Sequence, residues 1–290
     1  MTAALDRGIR YIDTAPLYGF GRSEQLVGDA LAGLPRAGFV ISTKVGRLVR
    51  ENVREFEPTP DGMWHGTGAR KVVFDFSRDG IRRSLTESLE RLGLDHVDIA
   101  YLHDPDDHLD QALREAFPAL AELRDEGLAR AIGAGMNDPV ALAEIVRETR
   151  PDCVLIAGRY TLLDQSAQSE LLPLCENLGV GVAVGGVFNS GVLADPVSGA
   201  RFDYAPASRE VLERARRIAR TCEAFDVALP TAAIQFPLRH SAVGSILTGV
   251  RSVSELERNI AGFDATVPAE LWPALEHEGL VAPHRRPADR

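Results

Sequence analysis

The sequence predicts one parallel α/β barrel, and three observations carry that expectation. Short β-branched runs recur along the 290 residues, each followed by an amphipathic helical pattern, which is how βα units of a parallel sheet read in sequence. The rhythm runs end to end without a long linker, low-complexity stretch or compositional break, so a single domain over 1–290 is the simpler organisation. The GxGxxG fingerprint of an open dinucleotide-binding sheet is missing, Gly19-Phe20-Gly21 being only a fragment of it. An open doubly wound sheet is the competing architecture, and that absence favours the eight-stranded (β/α) barrel.

Seven strands are expected, at 10–13, 39–44, 97–103, 129–133, 153–156, 180–184 and 243–247, one fewer than a full barrel needs. Between them, Ile81, Leu85, Leu89 and Leu92 recur at helical spacing behind a cap at Ser77. Leu113, Phe117, Leu120 and Leu123 do the same, but Pro118 falls inside the pattern, so that helix is kinked or starts late. A third helix opens at Asp138-Pro139, a cap followed by proline at the first helical position.

Composition narrows the function classes. With 32 Lys+Arg against 42 Asp+Glu, net charge −10, binding of nucleic acid through its phosphates is not expected. Cys153, Cys175 and Cys222 show no CxxC spacing, which suggests neither a disulfide framework nor a thiolate metal site. His65, His96, His103 and His108 share no helical spacing that would make a metal centre. The first residues lack a secretory pattern and the longest apolar stretch, 179–188, is too short to span a membrane. A soluble cytoplasmic protein is expected, a monomer or weak homo-oligomer whose partner is a small-molecule substrate.

A barrel gathers its active site at the C-terminal ends of its strands. Those ends carry Asp13 in IDTAPLYG, Lys44 in ISTKVG and His103 in YLHDPD, with Tyr18 in the loop above Asp13. Singly, each has a plain structural reading: a loop cap, a solvated charge, a core histidine, a covering aromatic. Together they suit proton exchange with a carbonyl oxygen, because a phenol near pKa 10 needs help to reach neutrality. A buried Lys44 beside Tyr18 would give the phenolate about 4 kcal/mol of preference. Asp13 would keep Lys44 charged and aimed, and a neutral His103 would orient the substrate oxygen.

The strings GIRYIDTAPLYGFGRSEQLVGDAL, STKVG and SLERLGLDHVDIAYLHD resemble the aldo-keto reductase family, and the likeness extends to GVRSVSELERNI near the C-terminus. The resemblance implies a TIM barrel of aldo-keto reductase type, with Asp13, Tyr18, Lys44 and His103 in the positions of the family's catalytic tetrad. PDGMWHG, FDFSRDGI, AIGAGMN, AGRYTLLDQ and GGVFNSG are similar to the aldose 1-dehydrogenase branch, which includes pyridoxal 4-dehydrogenases. The implied reaction is hydride transfer between a nicotinamide cofactor and the lactol or aldehyde carbon of an aldose or pyridoxal-like substrate, giving a lactone.

By the same resemblance, Asn137 would hold the nicotinamide carboxamide, and Phe188 would stack on the ring where the family places a tyrosine; core packing is the alternative for Phe188. Gly249, Arg251, Ser252, Glu255 and Asn259 would meet the adenosine phosphate end, at a helix N-terminus suited to an anion. A carboxylate at Glu255 would repel a 2'-phosphate, favouring NAD over NADP. Its competing role is structural, since Ser252 and Glu255 have capping-box spacing. Trp64, His65 and Arg159 are the candidate substrate contacts, and Trp64 has an alternative as a lid residue.

The family's first strand and most of its first helix have no counterpart ahead of Arg10, so a barrel short of about one βα unit is expected. TAALDRG reads as mid-helix, which suggests a start further upstream. The functional alternative is a catalytically weak truncated paralogue that binds nicotinamide nucleotide. A Schiff-base aldolase using Lys44 fits poorly with the cofactor-like C-terminal string.

Overall fold

The structure is a computed structural model describing residues 1–51 and 70–283. Trp64 and His65 lie outside the described residues. The chain forms two compact units, the first of Met1–Met136 with Glu144–Val154, the second of Asn137–Ala143 with the residues from Leu155 onward.

The first unit carries strands β1 (Tyr11–Asp13), β2 (Val40–Val45), β3 (Arg47–Glu51), β4 (Arg70–Phe74), β5 (Val97–His103) and β6 (Ala129–Met136). Its helices are α1 (Thr2–Asp6), α2 (Arg22–Leu31), α3 (Arg78–Leu92), α4 (Leu109–Gln111) and α5 (Phe117–Asp125). Strands β1, β2, β5 and β6 pair in that order and in parallel. Asp13 lies opposite Ser42, Ser42 opposite Ile99, and Lys44 opposite Tyr101. Because side chains alternate along a strand, this register turns Asp13, Ser42, Lys44, Tyr101 and His103 to one face.

Helix α3 begins where the sequence places its cap, the Ser77 hydroxyl accepting from the Gly80 N–H at 3.1 Å, and it ends at Gly93 with φ 65°. Ile81, Leu85, Leu89 and Leu92 are all buried. Pro118 acts as expected: a π-helical turn at Ala112–Ala116 leads into α5, whose first turn holds the proline. A proline has no N–H for the preceding turn, and a widened turn absorbs the missing bond. The buried carboxylate of Glu24 on α2 accepts from Arg91 at 2.7 Å and Thr43 at 2.6 Å, tying α2 and α3 to β2.

Helix α6 (Pro139–Thr149) and strand β7 (Cys153–Ala157) have residues in both units. Asp138 caps α6, accepting from Val140 N–H at 2.8 Å. In the second unit follow β8 (Gly181–Gly185), the short antiparallel β9 (Arg201–Phe202) and β10 (Ala205–Pro206), and β11 (Val243–Leu247), which pairs with β8 in parallel. The helices are α7 (Leu171–Leu178), α8 (Arg209–Glu223), α9 (Leu229–Gln235), α10 (Val253–Asp264) and α11 (Leu271–His277).

All seven expected strands are present, together with two antiparallel pairs, β3–β4 and β9–β10, that were not foreseen. Strand β6 runs on to Met136, past the expected end at 133. Gly133 weakens the strand pattern in sequence, yet its lack of a side chain is what the pairing needs: a Cβ there would stand 1.8 Å from the Cys153 carbonyl oxygen. Among the described residues no helix is long and apolar enough to cross a membrane, and no cluster of His, Cys, Asp and Glu could hold a metal ion.

Candidate active site

The strand ends of the first unit bring Asp13, Tyr18, Lys44 and His103 together. Lys44, 2% exposed at the end of β2, donates from Nζ to Asp13 Oδ2 at 2.5 Å, Tyr18 Oη at 3.0 Å and the Thr14 carbonyl at 3.1 Å. An ammonium has three protons, and this site engages each. The Ser42 hydroxyl donates to the other Asp13 oxygen at 2.6 Å, so the carboxylate is held from two sides. Tyr18 sits edge-on to His103, their ring centroids 5.9 Å apart.

Burial sets the protonation states as much as charge does. Burial alone would lower the Lys44 ammonium, but Asp13 and then Tyr18 outweigh it, leaving its pKa above the ordinary lysine value. Burial pushes His103 well below the usual histidine range, and the charges of Lys44 and Arg47 push it further the same way. The imidazole is therefore neutral near pH 7, as expected. The expected lowering of Tyr18 is not found. Burial raises its pKa above 10.0, Lys44 opposes this, and Asp13 adds to it. Lys44 is no spare cation: its charge is already shared with a carboxylate at 2.5 Å.

Two residues that the sequence reading passed over stand beside His103. Asp104, at φ 44°, pairs with Arg47 at 2.6 Å, and its Oδ2 lies 3.6 Å from His103 Nε2. The Arg47 side chain also reaches the His103 carbonyl, Nε to O 3.4 Å, and lies over the Phe74 ring at 4.7 Å. Asp104 is visible in sequence as the residue after His103 in YLHDPD, the signal that could have marked it.

The chain matches the Aldo/keto reductase family over residues 1–277. It is 43% identical to pyridoxal 4-dehydrogenase of Microbacterium luteolum and 45% identical to D-threo-aldose 1-dehydrogenase of a Pseudomonas species, each match covering 97% of this chain and 87% of the relative. The chain belongs to the aldo/keto reductase family. Its fold is accordingly the family's TIM barrel, and it is similar to the holo form of an aldo-keto reductase of Bacillus halodurans at a TM-score of 0.75 and 25% identity, over 95% of this chain and 84% of that one. As a member of this family it is an NAD(P)-dependent oxidoreductase.

The residues expected to meet the cofactor all belong to the second unit of this aldo/keto reductase. The Ser252 hydroxyl caps α10, accepting from the Glu255 N–H at 3.1 Å. The Glu255 carboxylate accepts from the Arg251 backbone N–H at 2.8 Å and pairs with the Arg251 guanidinium at 2.9 Å. Those contacts with Arg251 hold its carboxyl below the usual glutamate range. Asn259 is half-buried further along the same helix. A Cβ on Gly249 would meet nothing within 4 Å, so internal packing does not demand a glycine there.

Phe188 is half-buried in the turn after β8 rather than on the strand. Its neighbour Asn189 donates to the Gly158 carbonyl at 3.2 Å, while its Oδ1 is buried with no partner among the described residues. The orphaned Asn189 acceptor fits a donor such as an amide or a hydroxyl, and separately the uncrowded Gly249, the Ser252 hydroxyl and Arg251 at the start of α10 fit phosphates. Arg159 does not present a free guanidinium to substrate: it donates to the Asn137 carbonyl at 3.0 Å and pairs with Asp203 at 2.9 Å.

Proposed function

We propose that the protein oxidises the lactol carbon of an aldose, or of a pyridoxal-like hemiacetal, to a lactone, and that aldehyde reduction is the same chemistry reversed. The observation that carries the reading is the assembly of Tyr18, Lys44, Asp13 and His103 with every Lys44 proton engaged. The names of the two relatives, a pyridoxal and an aldose dehydrogenase, support the substrate class.

In this reading a bound nicotinamide supplies the hydride acceptor for oxidation or the donor for reduction. Tyr18 takes the lactol hydroxyl proton at its phenolic oxygen, or returns it to the carbonyl oxygen in reduction. Lys44 stabilises the phenolate, Asp13 holds Lys44 charged, and His103 donates from Nε2 to the substrate oxygen. Asn137 orients the carboxamide, and Gly249, Arg251, Ser252 and Asn259 hold the adenosine phosphate end, with Phe188 beside the ring. NAD is preferred over NADP, because the cation that would meet a 2'-phosphate, Arg251, is already paired with Glu255. Three unpaired cysteines support a reducing compartment, the cytoplasm.

The test is to mix the purified protein with NAD or NADP and L-fucose, D-arabinose, L-galactose or pyridoxal, and follow reduced nicotinamide by absorbance. Turnover that Tyr18→Phe abolishes is expected; turnover that survives Tyr18→Phe would refute the assignment.

A further inference from the structure

The Arg47–Asp104 pair is not used by the chemistry above, and its geometry is costly. A non-glycine residue at φ 44° is in a conformation that side chains resist. A largely buried ion pair is in general a weak stabiliser, since desolvation offsets much of the attraction. Yet Asp104 is fixed firmly. Its backbone N–H donates to the Gly135 carbonyl at 3.0 Å, and Arg47 grips Oδ2 while reaching the His103 carbonyl. The result is a carboxylate oxygen 3.6 Å from His103 Nε2. That is too long for a hydrogen bond, so the carboxylate stands next to Nε2 without engaging it. The Asp104 side chain is 31% exposed, against 6% for that of His103, so the carboxylate retains an open edge.

We infer that Asp104, held by Arg47, is a specificity-determining residue that accepts a hydrogen bond from the substrate hydroxyl on the carbon next to the reacting one. The inference rests on the reading that His103 Nε2 binds the reacting oxygen. Oxygens on neighbouring carbons of a sugar lie about a hydrogen-bond length apart, so a substrate oxygen on Nε2 brings its neighbour within reach of Oδ2. Arg47 opposes the upward push of burial on the Asp104 carboxyl and holds it turned to this position, and a charge-assisted bond discriminates more strongly than a neutral one. Substrates lacking the hydroxyl forgo this charge-assisted bond and are disfavoured.

The experiment compares kcat/KM for D-arabinose with 2-deoxy-D-ribose, and for L-fucose with its 2-deoxy analogue, in the wild type, Asp104→Gly and Asp104→Asn. Glycine removes the carboxylate without straining φ 44°, and asparagine tolerates that conformation while removing the charge. Dividing each variant's sugar-to-deoxysugar ratio by that of the wild type cancels the intrinsic reactivity of the sugars. Asp104→Gly is expected to lower the preference for the hydroxylated sugar by on the order of 10- to 100-fold, and Asp104→Asn by at least about threefold. A general loss of structure would lower both sugars together and leave the ratio unmoved. An unchanged ratio in Asp104→Asn with unchanged Tm overturns the inference even where the glycine variant does not fold. Turnover of pyridoxal alone overturns it while leaving the dehydrogenase reading standing, and turnover of nothing overturns both.

Discussion

Replacing Lys44 by methionine separates what the buried cation does for the fold from what it does for the reaction. Methionine fills much of the same volume, so the change is chiefly the loss of charge and of the bonds to Asp13, Tyr18 and the Thr14 carbonyl. Asp13, whose side chain is 13% exposed, keeps only the Ser42 hydroxyl at 2.6 Å. A buried charge stripped of its counter-ion destabilises by about 3–5 kcal/mol. Asp13→Asn combined with Lys44→Met removes both charges, and matched neutral replacements of a buried pair are nearly neutral in stability. The double variant should therefore be more stable than Lys44→Met by about 2 kcal/mol or more, a coupling well above the error for independent sites. Activity should not follow. With no cation beside Tyr18, both variants should lose on the order of 100- to 10,000-fold in kcat. Urea denaturation and steady-state turnover of the same preparations make the test. Additive stabilities, or recovery of turnover in the double variant, would refute the view that Asp13 serves Lys44 and Lys44 serves Tyr18.

Three further expectations follow from the same geometry. Because His103 is held below the ordinary value of 6.5, the unfolded chain binds a proton below about pH 6.5 that the folded chain refuses; stability falls as pH drops, by up to about 1.4 kcal/mol per pH unit, and His103→Gln should flatten that slope in urea titrations between pH 7 and 5. Gly133→Ala places a Cβ 1.8 Å from the Cys153 carbonyl oxygen, so β6 and β7 must separate, and a loss of at least about 1–3 kcal/mol is expected; a thermal midpoint equal to the wild type would contradict the register. Glu255→Gln frees Arg251 from its carboxylate partner, and should raise the NADP-to-NAD ratio of kcat/KM by roughly threefold to tenfold; no change in that ratio would remove the basis for the NAD preference.

Strand positions were legible because β2, β5, β6 and β8 are buried on both faces along most of their length, and all seven strands fall where short β-branched runs lie. The end of β6 was not, since Gly133 and Gly135 lower strand propensity, while the packing of Gly133 against the Cys153 carbonyl leaves no room for a side chain. Asp13, Lys44 and His103 could be found by asking which polar side chains end strands, Tyr18 by looking into the loop that follows Asp13, and the family strings then named all four. What sequence did not carry was the sign of the Tyr18 shift. Adjacency of a lysine is readable from spacing, but the burial that raises Tyr18, and the closeness of Asp13 that adds to it, are matters of ångströms. Asp104 was passed over for a similar reason. Beside a histidine in a polar string, an aspartate reads as a solvated turn, and only the left-handed backbone and Arg47 turn it back toward the imidazole.

Below the charged layer of Asp13 and Lys44, the same strand faces carry Tyr11, Tyr101 and Cys153, linked at 3.2 Å between the phenols and 3.6 Å from the thiol to Tyr101. Burial pushes both phenols up and moves the Cys153 thiol to about 11, so none of these groups ionises near neutral pH. A layer without charge beneath the site leaves Asp13 as the bonded counter-ion of Lys44, with Tyr18 beside the pair. The resting combination is then an ion pair, a neutral imidazole and a phenol that keeps its proton. This is the state from which a proton can be given to a carbonyl oxygen, whereas lactol oxidation must first take the Tyr18 proton against a pKa raised above 10.0. In the free enzyme, therefore, kcat/KM for oxidation should climb through pH 10 without a plateau below it, while the reductive rate should be flat over the same range. A plateau for oxidation near pH 7 would mean that Tyr18 is not the group that titrates.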